Sequence, residues 1–213
     1  MNSLNHVAIA GNIGAGKTTL VKKLAKHYQW EAHLEAVDNN PYLADFYADM
    51  KKWAFPLQIY FLHSRFNQVR EIRNSGKAII QDRTIYEDAY IFAQNLRESE
   101  ILSKRDFDNY LCLFESMVDM LKPPDLMIYL RANISTLTRQ IARRGRNYEG
   151  SITIQYLEDL NRHYESWISS YDLGKLLILE VDNLNYVDRP EDLDYVIEQI
   201  DSAILQTKEH KIS

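Results

Sequence analysis

Gly11-Asn12-Ile13-Gly14-Ala15-Gly16-Lys17-Thr18 follows the apolar run Val7-Ala8-Ile9-Ala10 and opens into Thr19-Leu20-Val21. A strand, this Gly-x-x-x-x-Gly-Lys-Thr spacing and then a helix form the context in which such a loop cradles phosphates. Its glycines let the backbone fold tightly around an anion, with N–H groups and the helix N-terminus aimed at phosphate oxygens. Lys17 can reach β- and γ-phosphates, and Thr18 can hold Mg²⁺. Gly11, Asn12, Ile13, Gly14, Ala15, Gly16, Lys17, Thr18 and Thr19 are therefore the expected nucleotide-binding residues. A purely structural glycine turn would leave Lys17 unexplained, so the chain is expected to bind a nucleoside triphosphate.

Outward from this loop, short apolar runs alternate with longer helical patterns. Candidate strands lie at 6–10, 33–37, 77–81, 126–130 and 176–181. That alternation implies an α/β fold, a parallel sheet with helices on both faces. The 213 residues suffice for one such domain with a sizeable core. Few prolines and glycines, no repeat and no low-complexity segment leave nothing that reads as a linker, so a single domain over 1–213 is expected. A formal net charge of −5 speaks against a nucleic-acid binder working by bulk electrostatics. The single cysteine, Cys112, cannot form an internal disulfide, and its neighbours Leu111, Leu113 and Phe114 predict burial. No apolar stretch approaches membrane-spanning length, and the chain reaches its first strand without a signal-peptide core. A cytoplasmic location is expected.

Two helices carry strong periodicity. Leu57, Phe61, Leu62, Phe66, Val69 and Ile72 form one apolar face, which stops near Asn74-Ser75-Gly76. Phe107, Leu111, Phe114, Val118 and Leu121 form a stripe, with Tyr110, Leu113, Met117 and Met120 as a second stripe beside it. This arc is wider than one core contact requires. It predicts either a deeply buried helix or one that packs against a second subunit, and Pro123-Pro124 is expected to end it. Near the C-terminus, Pro190 within Asp188-x-x-Glu191 marks a helix start. Leu193, Val196, Ile197, Ile200 and Ile204 then repeat at helical spacing.

Phosphoryl transfer needs a group to receive the acceptor's proton, metal ligands, and cations on the moving phosphate. Glu35, at the end of the second candidate strand, faces the ligand crevice of such a sheet and can accept a hydroxyl proton; alone it would read as a solvated strand-end residue. Asp82, at another strand end, can hold Mg²⁺ directly or through water, and Arg83 can stabilise charge on the phosphoryl group. Arg143-Arg144-Gly145-Arg146 is a compact basic cluster. Beside a phosphate loop it favours a mobile lid over a solvated face or a nucleic-acid patch. Gln58 and Arg65 share one helix face about 10 Å apart, with Phe61 between them. They can read a planar base, or simply mark a solvated edge. Trp53, Phe55 and Phe92 are core residues by default, with stacking on a base as the alternative.

Gly11–Thr18, Leu34-Glu35, Phe55-x-x-Gln58 with Arg65, Asp82-Arg83-Thr84-x-Tyr86-x-Asp88, and Arg144-Gly145-Arg146-Asn147-Tyr148-Glu149 resemble, in order and spacing, the motifs of the deoxynucleoside kinases. The resemblance runs over about 6–167 and is greatest to bacterial deoxyadenosine/deoxyguanosine kinases. It implies a P-loop kinase fold, with a five-stranded parallel sheet, an Arg-rich lid over about 143–152, and ATP-dependent transfer to a deoxynucleoside 5′-hydroxyl. By matching position it makes Glu35 the base. Lys17, Arg83, Arg144 and Arg146 surround the phosphates, while Thr18 and Asp82 serve Mg²⁺. It gives the sugar 3′-hydroxyl to Tyr47 and Glu149 and the base to Gln58, Arg65 and Asp88, with Phe92 and Trp53 lining the pocket. It also implies a homodimer through helices around 88–121.

Three departures stand out. Glu35-Ala36 replaces the family's Glu-Pro, which predicts a looser turn. Asp82-Arg83-Thr84 replaces the Glu-Arg-Ser of animal members, a shorter carboxylate that predicts Mg²⁺ binding through water. The arginine that many members carry before the lid aligns with either Arg139 or Gln140. The Arg65 and Asp88 couple resembles members that take purine or cytosine deoxynucleosides, and the overall bacterial resemblance gives the order deoxyadenosine, deoxyguanosine, deoxycytidine. Two rival readings are a nucleoside monophosphate kinase of the thymidylate-kinase type and a P-loop nucleotide switch. The first needs additional cations for the acceptor's own phosphate, and the second needs a water-positioning Glu or Gln and a partner surface.

Overall fold

The computed structural model describes residues 4–35, 40–145 and 152–209. Strands β1 (His6–Gly11), β2 (Glu31–His33), β3 (Ile79–Asp82), β4 (Leu126–Arg131) and β5 (Leu176–Glu180) form one sheet in the order β2-β3-β1-β4-β5, with every neighbouring pair parallel. Alternation along β1 divides the core. Val7 and Ile9 bury against Leu20, Val21 and Leu24 of α1 (Lys17–Tyr28) and against Val196 and Ile200 of α9 (Pro190–Glu209). Ala8 and Ala10 face the other way, towards α3 (Met50–Ser75), α6 (Lys104–Val118) and α8 (Ile154–Ser169). Small residues there leave room for Tyr110, Phe114 and Tyr164, all essentially inaccessible to solvent. Each such side chain contributes about 1.5–3 kcal/mol of hydrophobic stabilisation.

The chain leaves β1 through α1 on one face and crosses to β2. It leaves β3 through helices on the opposite face and crosses to β4. The adjacent strands β1 and β3 thus send their connections in opposite directions, which opens a crevice at their C-terminal ends. After β3 come α4 (Ile85–Glu87), a π-helical turn (Asp88–Ala93) and α5 (Gln94–Glu98). The shorter helices α2 (Leu43–Ala48) and α7 (Ile134–Arg144) complete the walls.

Several boundaries differ from the sequence expectation. β2 ends at His33, before the expected 33–37, and Ala36 and Val37 lie outside the described residues. The reason is a competing partner: Gln68 Nε2 donates to the Leu34 carbonyl at 3.0 Å, where a ladder bond would otherwise continue. β3 includes Asp82 as its last residue. Helix α3 starts at Met50, capped by the Asp49 side chain, which accepts from the Lys52 N–H. Trp53 and Phe55 therefore share a helix with Gln58 and Arg65. Helix α6 ends at Val118, ahead of the prolines, and its last carbonyls are met by the turn of Asp119, Met120 and Leu121. Burial on all sides is not borne out for α6 within one chain. Phe107, Tyr110 and Phe114 are buried, whereas Leu113 and Met120 are exposed. Cys112, expected to be buried, is also exposed, because it lies on the outward side of this helix.

Candidate active site

The nucleotide loop runs from the end of β1 into α1. Gly14 and Gly16 have φ of +87° and +93°, in the left-handed region that suits glycine. Space forbids side chains at both: a Cβ on Gly14 would lie 2.7 Å from the Leu137 carbonyl oxygen, and one on Gly16 would meet the Tyr186 hydroxyl. Lys17 is buried, and its Nζ donates to the carbonyls of Gly11 at 2.7 Å and Asn12 at 3.0 Å. Burial, reinforced by the Arg83 charge, lowers the ammonium to about 8. Thr18 Oγ1 donates to Asp82 Oδ2 at 2.5 Å, while Asp82 Oδ1 is buried without a hydrogen-bond partner.

Arg83 takes the left-handed conformation, φ +69°, as the chain turns from β3 into α4. Its guanidinium lies 4.4 Å from the Phe92 ring centre, a cation–π contact. Its Nε is 3.0 Å from Glu35 Oε1, and Arg65 Nη2 donates to the same oxygen at 2.8 Å. Burial acts against the Arg83 charge, but Glu35, Tyr164, Glu87 and Asp88 outweigh it and hold the group well above its usual range. Arg65 Nε lies 3.4 Å from Asp88 Oδ2, an ion pair too poorly aligned to count as a hydrogen bond. Burial pushes the Asp88 carboxyl up to about 7, against the pull of Arg65 and Arg83. Gln58 Oε1 is also buried without a partner. Unsatisfied polar atoms are uncommon in native interiors. Gln58, Arg65, Asp82, Arg83 and Asp88 each carry one in this region, and others lie elsewhere among the described residues, on His6, Asn95 and Tyr110 for example.

These groups surround a cavity of about 500 Å³. Its wall includes Ile13, Gly14, Gly16, Lys17, Thr18 and Thr19 from the loop side, and Glu35, Tyr47, Gln58, Arg83, Asp88 and Phe92 on the other. Arg143 and Arg144 also line it. Arg65, only 1% exposed, stands behind Glu35 and Asp88. Gly11, Asn12, Ala15 and Asp82 are likewise buried beneath the surface of the site. Trp53 is half-buried against Tyr42, in the same cluster as Phe46 and Leu57 of the wall. Arg146 and Glu149 lie outside the described residues.

Of the two residues in question before the basic cluster, Gln140 lines the cavity, and Arg139 turns back to donate to Thr136 of its own helix. Sequence reasoning missed Lys22, Tyr156 and Val187 on the wall. Lys22 follows Thr18 by one helical turn, a spacing that could have revealed it. Val187, distant in sequence and chemically bland, carried no such signal.

The deoxynucleoside kinase family model matches residues 7–205. The deoxyadenosine/deoxycytidine kinase of Bacillus subtilis is 38% identical over 200 residues, covering 93% of this chain and 92% of that protein. The deoxyadenosine kinase of Dictyostelium discoideum is 39% identical over 193 residues, covering 90% and 77%. The solved structure of deoxyadenosine kinase from M. mycoides with bound dATP superposes with a TM-score of 0.80 at 30% identity, covering 92% of this chain and 99% of that one. The chain belongs to the deoxynucleoside kinase family, and it is a kinase with the α/β phosphate-loop fold of that family.

Proposed function

We propose that the enzyme transfers the γ-phosphoryl group of ATP to the 5′-hydroxyl of a deoxynucleoside, with deoxyadenosine preferred over deoxyguanosine and deoxycytidine. The observation that carries this reading is the cavity itself. Glu35 lines it together with residues of the phosphate loop, and two guanidinium groups hold one of its oxygens. Glu35 receives the hydroxyl proton as the 5′-oxygen attacks. Lys17, Arg83, Arg144 and Arg146 stabilise the phosphate oxygens, and the segment at about 143–152 acts as the lid of a single domain. Tyr47 and Glu149 hold the 3′-hydroxyl. Gln58, Arg65 and Asp88 read the base, Phe92 lines its pocket, and Trp53 packs in the adjoining cluster. Relatives named for deoxyadenosine and the Arg65–Asp88 couple support the choice of base.

Thr18 and Asp82 suit Mg²⁺. A buried, unpartnered carboxylate oxygen beside a hydroxyl is half of a donor set that phosphates complete. Bound there, the ion would neutralise charge on the β- and γ-oxygens. The exposed Leu113 and Met120, with Tyr90 on the neighbouring π-helical turn, support a homodimer through helices around 88–121. No described helix is long and apolar enough to cross a membrane, and a cytoplasmic location is part of the proposal.

The test is steady-state ADP release with Mg²⁺-ATP and each of the four deoxynucleosides, with dTMP and no acceptor as controls. Release that depends on deoxyadenosine, with weaker deoxyguanosine and deoxycytidine activity, is the expected result. Release with dTMP alone, or without any acceptor, would overturn the proposal.

A further inference from the structure

Two fully buried groups, Glu87 and Tyr164, meet at the base of the site without a role in the reaction as described. Glu87 Oε2 accepts from the Thr84 N–H at 2.7 Å and from its hydroxyl at 3.2 Å, which closes a capping box on α4. A cap uses only that oxygen and needs no burial. The second oxygen, Oε1, lies 3.2 Å from the Gly11 N–H nitrogen, 2.8 Å from the Tyr164 hydroxyl and 3.7 Å from Arg83 Nη1. Tyr164 accepts from Arg83 Nη1 at 3.0 Å, and its single proton faces both Glu87 Oε1 and, at 2.9 Å, the Gly11 carbonyl. Gly11 is the first glycine of the phosphate loop, and its carbonyl also receives Lys17.

We infer that Tyr164 and Glu87 are positioning residues that lock the Arg83 guanidinium to the first glycine of the phosphate loop. Arg83 needs such a hold. Its left-handed backbone is uncommon for a residue with a side chain, and such a conformation persists only where its surroundings over-determine it. One face of its guanidinium lies on Phe92, Nε is paired with Glu35, and Nη1 is fixed by Tyr164. When a triphosphate draws Lys17 away, Tyr164 remains within reach of the Gly11 carbonyl and keeps the loop and Arg83 in register. The inference rests on the proposed phosphoryl transfer, in which Arg83 stabilises the moving group.

Tyr164→Phe removes the hydroxyl and keeps the ring, which stacks 5.6 Å from Tyr129. The expected result is a fall in kcat of about tenfold, with KM for ATP and for deoxyadenosine changed by less than about twofold. In an Arg83→Lys background the same substitution should cost less than about twofold, because residues acting through one another are not additive. Tyr129→Phe is the control for packing, since its hydroxyl bonds Glu165 instead, and its kcat should stay near wild type. Undiminished turnover in Tyr164→Phe, additive losses, or an equal loss in Tyr129→Phe would overturn the inference. The Arg83 Nη resonances in an arginine side-chain ¹⁵N spectrum give the same test without turnover, being sharp in wild type and exchange-broadened in Tyr164→Phe. An unchanged Arg83 signal contradicts the inference whatever the substrate. If wild-type protein phosphorylates no deoxynucleoside while Tyr164→Phe still broadens the Arg83 signal, the proposed function alone is overturned.

Discussion

The two walls of the cavity are built by different means. On the phosphate side, one contiguous run from Gly11 to Thr19 forms the loop, and Lys17 rests on carbonyls of the same loop. On the opposite side, Glu35 follows β2, Gln58 lies on α3, and Asp88 and Phe92 share the π-helical turn, with Arg65 ion-paired to Glu35 and Asp88 and Arg83 to Glu35. Several polar atoms there have no hydrogen-bond partner. A backbone cradle recognises phosphate whatever nucleoside carries it, whereas a wall of side chains holding buried, unpaired groups discriminates strongly between acceptors. Donor binding and acceptor choice should therefore fail separately.

The largest separation is expected in Glu35→Gln. Removal of a general base lowers kcat by about 10²–10⁴-fold, while calorimetric affinity for deoxyadenosine and ATP should change little. Normal single-turnover rates in this variant would remove Glu35 from the chemistry and break the division. Arg65→Ala comes next. It leaves two carboxylates with less compensation, a loss of about 3–5 kcal/mol for a buried pair, so thermal melting must first confirm a folded protein. The kcat/KM ratio of deoxyadenosine over thymidine should then fall by about tenfold or more, with ATP affinity retained. An equal loss for every nucleoside would show that Arg65 supports the fold without reading the base.

The turn of the phosphate loop was legible in the sequence because its information is local: consecutive residues encode both the turn and the proposed anion site. The parallel sheet with helices on both faces followed from apolar runs such as Val7–Ala10 alternating with helical patterns, whereas the strand order β2-β3-β1-β4-β5 did not. The acceptor wall was legible only through matching motifs, since nothing in composition brings Glu35 to Arg65 and Arg83. They meet as direct ion pairs, and Gln68 holds the chain just before Glu35 by taking the Leu34 carbonyl where β2 ends. Glu87 was passed over for a related reason. In sequence it is one acidic residue among several, and only burial and Tyr164, far along the chain, distinguish it. Cys112 misled because an apolar neighbourhood in sequence is not one in space when helix α6 faces outward.

Smaller effects come from pH, and they differ in sign between the walls. Asp88 titrates near 7 in the folded protein, above the usual carboxylate value of 3.8, because burial disfavours its charge. The folded state holds that proton longer than the unfolded state, so this group's contribution to stability is lost as pH rises from about 4 to about 7. A base amino group donates to the ionised form, so KM for deoxyadenosine should fall by about tenfold between pH 6 and 8; a flat profile would exclude Asp88 as the acceptor of that bond. Lys17 is displaced the other way, to about 8, again by burial. Bound triphosphate favours its charged form, so ATP binding near pH 8 should take up a fraction of a proton, measured by calorimetry in buffers of different ionisation enthalpy. Identical heats in those buffers would contradict this coupling.

The most direct test of phosphoryl transfer across this cavity uses deoxyadenosine labelled with ¹⁸O at the 5′-oxygen, in one turnover with Mg²⁺-ATP and mass analysis of the product. Deoxyadenosine monophosphate that keeps the label, formed together with one ADP, is the predicted outcome. ADP accompanied only by inorganic phosphate, or a monophosphate lacking the label, would contradict attack by the 5′-oxygen on the γ-phosphorus.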